Sequence, residues 1–235
     1  MNYHVTGSIR LAHDKNRMQE FERARTMGRY QGLGIEMMSV SDMKNAYPFL
    51  ETHDLTGGLW DPDDGDIDPA QLTQALAKGA RDMGAKIQRF SPATGVSQVE
   101  NEWIVHTDKG DIRCEKVVNC AGYYAQRVGE WFKPFGGRTV PMTVMSHQFF
   151  LTEEIPELKE WTEANGRKVP LLRDVDSSYY LRQDKNGLNL GPYERNCKAH
   201  WITPDDPMPE DFSFQLYPDD LLSLIHISEP TRQWS

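Results

Sequence analysis

The sequence predicts a mixed α/β fold, in which a partial βαβ domain carrying a β-meander is interleaved with a mainly antiparallel β-sheet domain. Three observations predict it. A helix pattern from Asp68 to Met83 runs into the strand-like "AKIQRF", which together form the second half of a βαβ unit. Short apolar runs joined by "ENE" and "DKGD" then read as an antiparallel meander. On both sides of this middle region the pattern changes to segments of mainly antiparallel character.

Taken in order, Gly7–Ala12 reads as a strand, and Asp14 caps a helix through about Gln31 with Met18, Phe21 and Ala24 on its apolar stripe. Ser41 is expected to cap a short helix that Pro48 stops. Gly58–Asp61 is a strand entering the acidic "DPDDGDIDP". Asp68-Pro69 then pairs a cap residue with proline at the first helical position. The helix places Leu72, Leu76, Ala80 and Met83 on one face, slim enough to pack on a sheet, and Gly84 ends it. Ala93–Val99, Trp103–Thr107 and Asp111–Cys114 form the meander. In "CEKVVNCAGYYAQRVG", Lys116–Cys120 reads as a strand buried on both faces. Ala121-Gly122 bares the backbone, and Tyr124, Val128 and Trp131 follow at helical spacing. A bare backbone at the end of such a strand lets something large and flat lie against it. After Pro141 come the β-like runs "TVMSHQFFLT", "VPLLRD", "SSYYLRQD" and "LNLGP".

Composition excludes several classes. A formal charge of −9 with no Lys/Arg run longer than two argues against a nucleic-acid partner. No apolar stretch approaches the ~20 residues needed to cross a bilayer, so no membrane partner is expected. Three cysteines without CxxC spacing point to reduced thiols and a cytoplasm-like compartment. "DPDDGDIDP" fails as a calcium loop. Counted from Asp61, Gly65 falls one place early and Leu72 stands where the bidentate Glu belongs, so no metal is expected and a turn plus helix cap explains the acids. "LSLIHISEPTR" (Leu222–Arg232) breaks off an acidic, Pro-rich passage and resembles a translated transposon-type sequencing adapter. Residues 222–235 are therefore expected to be a non-native tail, and the chain a fragment.

The order "SIRLA … GLWDPDDGDIDPAQLTQALAKGARDMGAKI … PATGV … VVNCAGYYAQRVGE … PMTVMSHQFFLT … VPLLRDVDSSYYLRQDKNGLNLGPYE" resembles the dimethylglycine and sarcosine dehydrogenases, FAD-dependent amine oxidoreductases of the D-amino-acid oxidase-like superfamily. The likeness covers roughly Gly7–Leu221. It implies residues 1–68 and 139–221 as two parts of a substrate domain around a partial FAD-binding, Rossmann-like domain at 69–138. The family's GxGxxG phosphate loop and flavin-linking histidine are expected upstream. A folate-binding domain, and with it a tetrahydrofolate site, is expected downstream.

The resemblance implies flavin contacts at Ala93, Ala121, Gly122 and Tyr124. It also places His147 in the amine pocket, where an imidazole can accept a proton near neutrality. One of Tyr179 and Tyr180 is expected to hydrogen-bond the substrate carboxylate. Neighbours on a strand face opposite ways, and the expectation leans to Tyr179. Residue type alone reads His147 as a core histidine, Ala93 and Tyr124 as packing residues, and Arg173 and Arg182 as solvated charges. The implied reaction passes hydride from the N-methyl carbon of a methylated amine carboxylate to flavin, with oxygen or a carrier flavoprotein as electron acceptor. A eukaryotic source would place it in the mitochondrial matrix. A non-catalytic regulatory homologue, like the regulatory subunit of pyruvate dehydrogenase phosphatase, and an inactive truncated fragment are the alternative readings.

Overall fold

The computed structural model describes residues 3–193 and 197–200. Two short strands, β1 (Tyr3–Val5) and β2 (Ser8–Ala12), precede α1 (Lys15–Tyr30), where the Asp14 carboxylate accepts the Arg17 N–H at 2.8 Å as the cap. β3 (Glu36–Met38) leads into α2 (Val40–Ala46). The cap of α2 is Ser39 rather than Ser41. The Ser39 hydroxyl accepts the Asp42 N–H at 3.2 Å and donates to the Asp42 carboxylate at 2.5 Å, a reciprocal arrangement that Ser41 cannot make from inside the first turn. β4 (Gly57–Asp61), β5 (Gly65–Ile67) and α3 (Pro69–Asp82) follow. The acids between them act locally: Asp61 accepts the Asp63 N–H and Asp68 caps α3 through the Gln71 N–H.

The meander forms as β6 (Ala93–Val99), β7 (Glu102–Thr107) and β8 (Ile112–Cys114). A 3₁₀ turn at Gly122–Tyr124 enters α4 (Ala125–Glu130). Then come β9 (Val144–Met145), β10 (Phe150–Leu151), α5 (Pro156–Asn165), β11 (Leu171–Asp174), β12 (Tyr179–Asp184), β13 (Gly187–Pro192) and β14 (Ala199–His200). Three expectations change. Residues 85–90 and 116–120 form no strand, because no described segment pairs with them. The apolar face of α3 is consequently open, with Leu76 and Met83 exposed and no residue of the helix buried. The run "TVMSHQFFLT" splits into β9 and β10, leaving His147 exposed between two strands rather than mid-strand.

The chain divides into two compact units, the first interrupted in sequence by the second. Within the described residues, the first comprises 3–76 and 147–193 and the second 77–146 and 197–200. The first is built on a seven-stranded sheet of order β10-β13-β12-β11-β2-β4-β3. Its neighbours pair antiparallel except β2 with β11, which run parallel with Ile9 opposite Leu172 and Arg10 opposite Arg173. One face packs Ile9, Leu11 and Leu172 against Met43 of α2 and Leu158 of α5. On the other, Ala12 and Leu59 close over Phe21 of α1. In the second unit, Trp103 of the meander meets Phe132 and Phe135 edge-on at 5.1 and 5.2 Å.

Leu172 is 2% exposed at the centre of the parallel pair. Leu172→Ala should therefore cost about 2–5 kcal/mol of stability, read from the urea midpoint. A shift of less than about 0.5 kcal/mol would mean that this face is not the core.

Candidate functional site

In the first unit, alternation along β12 sends Tyr179 and Tyr180 to opposite faces of the sheet. Tyr180 stands opposite Gly191 on β13, and its ring lies over that glycine so closely that an added Cβ would overlap Cζ, Cε1 and Oη. The glycine is what gives the ring its seat. Tyr193, just beyond β13, donates its N–H to the Ser178 carbonyl at 2.7 Å. Its ring touches both Tyr180 (centroids 5.9 Å) and His147 (5.5 Å, edge-on). His147 and Tyr180 are thus joined through Tyr193, a residue the sequence reading did not single out. Burial, with Tyr193 beside it, pushes the Tyr180 phenol up, and Arg182 and Arg173 pull the other way. The hydroxyl therefore stays protonated at neutral pH and can donate to an anion.

Tyr179 occupies the other face, where it lines a cavity of about 400 Å³ together with Leu11, Tyr47, Leu172, Leu181 and Asp54. It does not share the His147 cluster, which Tyr180 joins through Tyr193. Burial, then Asp174 and Asp54, push its phenol up to about 12. At the same cavity, His13 Nε2 lies 2.8 Å from the buried Asp174 carboxylate and Nδ1 lies 3.2 Å from that of Asp54. Carboxylates within 3.2 Å of both ring nitrogens favour the doubly protonated, charged ring. Burial opposes that charge, but the hydrogen bond and charge of Asp174, with Asp54 behind it, outweigh it and raise the His13 pKa above 6.5.

The remaining candidates lie in the second unit. Ala93 opens β6 and is exposed; Ala121 is half-buried; Gly122 and Tyr124 are exposed. Gly122 has φ +56°, with nothing within 4 Å of where a side chain would begin. Val118, 79% exposed, and the Tyr123–Tyr124 ring pair lie in the same segment. A bared backbone flanked by uncovered apolar and aromatic groups fits a large flat cofactor. Among the described residues no group of His, Cys, Asp and Glu could hold a metal ion, and no helix is long and apolar enough to cross a membrane.

A family model described as DAO, FAD dependent oxidoreductase, matches residues 1–234. The chain belongs to this FAD-dependent oxidoreductase family. It is 36% identical to mouse dimethylglycine dehydrogenase over 94% of its own length and 25% of the relative's. It is 31% identical to human sarcosine dehydrogenase over 90% of its length and 22% of the relative's. The chain therefore spans about a quarter of the length of these curated relatives. Its fold resembles that of L-proline dehydrogenase from P. horikoshii (TM-score 0.74, 22% identity, 96% of this chain and 56% of that one).

Membership in a FAD-dependent oxidoreductase family agrees with the mixed α/β fold of the chain, and the family's cofactor fits the segment around Gly122. Arg10, in register with Arg173 and Tyr180, is another residue of this sheet face that the sequence reading passed over. Its signal was the lone charge between apolar Ile9 and Leu11 in "SIRLA".

Two outcomes test this geometry. Gly191→Ala should displace the Tyr180 ring and cost about 1–3 kcal/mol in urea unfolding. Most of that loss should vanish in a Tyr180→Ala background, and equal losses in both backgrounds would remove the ring from its seat. Because folding raises the His13 pKa, its contribution is complete below about 6.5 and fades as pH climbs through the folded value. The stability gap between the parent chain and His13→Ala should narrow accordingly, and a gap that is flat with pH would contradict the imidazolium.

Proposed function

We propose that the full-length protein oxidises a secondary or tertiary N-methyl amine that bears a carboxylate, of the dimethylglycine or sarcosine type. The observation that carries this reading is the likeness to dimethylglycine and sarcosine dehydrogenases along nearly the whole chain. The cluster of His147, Tyr193 and Tyr180 supports it, because an imidazole and a phenol there share one aromatic neighbour.

In this reading His147 takes the ammonium proton, since oxidation at the neighbouring carbon needs the nitrogen lone pair free. Tyr180 donates its hydroxyl to the substrate, and burial keeps that proton in place at neutral pH. Tyr193 orients the two by ring contact. Ala93, Ala121, Gly122 and Tyr124 would hold FAD, which when bound accepts a hydride equivalent from the N-methyl carbon. The substrate is left as an iminium that water hydrolyses or that tetrahydrofolate bound elsewhere in the full-length protein captures. Oxygen or a carrier flavoprotein would take the electrons, and a eukaryotic source would place the enzyme in the mitochondrial matrix; the mouse and human relatives are named as mitochondrial.

The test is steady-state oxidation of dimethylglycine and sarcosine by the full-length, FAD-containing protein. His147→Gln should lower kcat/KM by about 10²–10⁴-fold and remove the acidic limb of its pH profile. Tyr180→Phe should cost about tenfold in kcat/KM, while Tyr179→Phe leaves it unchanged. An unchanged His147→Gln profile would end the proton-acceptor role.

A further inference from the structure

The cavity of about 400 Å³ on the Tyr179 face of the first unit's sheet is lined by leucines and aromatic rings. Strand register supplies the leucines: Leu172 stands opposite Leu181, and Leu181 opposite Leu190. The aromatic rings come from the end of α2 and from β12. Tyr47 ends the helix ahead of Pro48, and the chain that follows brings Phe49, Glu51 and Asp54 to the same cavity as Tyr179. The Tyr47 and Phe49 rings meet edge-on at 6.2 Å.

The fold leaves polar groups of this cavity unused. Tyr47 is 2% exposed, yet among the described residues its hydroxyl has no hydrogen-bond partner, and neither has that of Tyr179. A buried hydroxyl that meets no partner is costly. Burial, then Tyr179 beside it, pushes the Tyr47 phenol up, as burial does for Tyr179. Both hydroxyls therefore keep their protons at neutral pH, and each has an oxygen free to accept.

Charge decides which ligand these oxygens suit. Three carboxylates line the cavity, those of Glu51, Asp54 and Asp174, against the two histidines His13 and His53. The lining is thus net negative even with both rings protonated. His13 already engages Asp174 and Asp54, whereas Glu51 has no ion pair among the described residues. Such a lining repels an anion and draws in a cation, which the faces of the aromatic rings attract as well.

We propose that this cavity binds a small protonated amine with an apolar body, at a site on the opposite sheet face from the His147, Tyr193 and Tyr180 cluster. The ammonium donates to the Tyr47 and Tyr179 hydroxyl oxygens, Glu51 and Asp54 balance its charge, and its body lies against Leu172, Leu181 and Leu190. A primary amine suits the site best, because its N–H groups can meet both hydroxyls and a carboxylate together. The site does not depend on which substrate the other face oxidises.

The experiment is a calorimetric titration of the full-length, FAD-containing protein with benzylammonium, which has no N-methyl carbon to oxidise. Its Kd should rise about three- to tenfold in each of Tyr47→Phe and Tyr179→Phe. Benzyl alcohol, which keeps the body and loses the charge, should bind at least about tenfold more weakly. Tyr180→Phe, on the other face, should leave the benzylammonium Kd unchanged. Because neither cavity hydroxyl has a protein partner to lose, the urea midpoint of each cavity variant without ligand should equal or exceed the parent's. Absence of saturable binding, or a Kd that follows Tyr180 and ignores Tyr47 and Tyr179, would overturn the site. Equal affinity for benzyl alcohol would overturn the cationic ligand. A lowered urea midpoint in Tyr47→Phe would show that hydroxyl held by the rest of the full-length chain, and would also overturn the proposal.

Discussion

The parallel pairing of β2 with β11 is the constraint on which the first unit rests. Parallel neighbours cannot be joined by a tight turn, so a long crossover must separate them. Here that crossover carries α1, α2, α3, α5 and the entire 77–146 portion of the second unit. The pair's register puts Ile9 and Leu11 beside Leu172 and Asp174 on one face, and Arg10 beside Arg173 on the other. A slip of one residue in either strand would drive that strand's arginine into the apolar core and expose its leucines. Core packing on one side therefore fixes, with no further device, which charges meet on the other.

The same alternation separates two tyrosines that are neighbours in sequence into different chemical settings. Tyr179 sinks toward Tyr47 and the carboxylates of Asp54 and Asp174, where burial and negative charge both hold its proton. Tyr180 is less buried, and the positive field of Arg173 and Arg182 acts against its burial. A phenol beside cations is suited to meeting an anion, because donor and field attract the same ligand. A phenol among carboxylates is not.

Much of this was legible in the sequence where the signal is local. Asp14, Asp68-Pro69 and the DKGD turn specify caps and a hairpin through side chains adjacent to the backbone they satisfy. The misreadings at 85–90 and 116–120 have a common cause. An apolar run has strand composition, but a strand exists only where another segment supplies the ladder. The helix α5 went unseen because the β-like runs on either side of "PELKEWTEANG" dominate that stretch, although Pro156 at its first turn and the left-handed Gly166 at its end are ordinary helix punctuation. At the candidate site, alternation tells that the two tyrosines take opposite faces, so that only one of them lies on the face near His147. Which one depends on the pairing of β12 with β11 and β13, and no local pattern records it. The residue opposite Arg10 was hidden for the same reason, since it is supplied by β11, from the far end of the unit.

An electrostatic pin stands at the end of the strand pair that carries the two unbalanced arginines. His13 directly follows β2, Asp174 ends β11, and Asp54 lies on the approach to β4, so the His13 ring ties the ends of three adjacent strands. The backbone reinforces the tie: the Thr56 hydroxyl donates to the His13 carbonyl at 2.9 Å, the Thr56 N–H to the Ala12 carbonyl at 2.8 Å, and the Ser177 N–H to the Asp174 carboxylate at 2.9 Å. Repulsion between Arg10 and Arg173 acts to part β2 from β11, and the pin acts to hold them at the neighbouring residues. A sheet that keeps two cations side by side gains from compensation inside the same strand pair, on its opposite face. His13 and Asp174 supply it there.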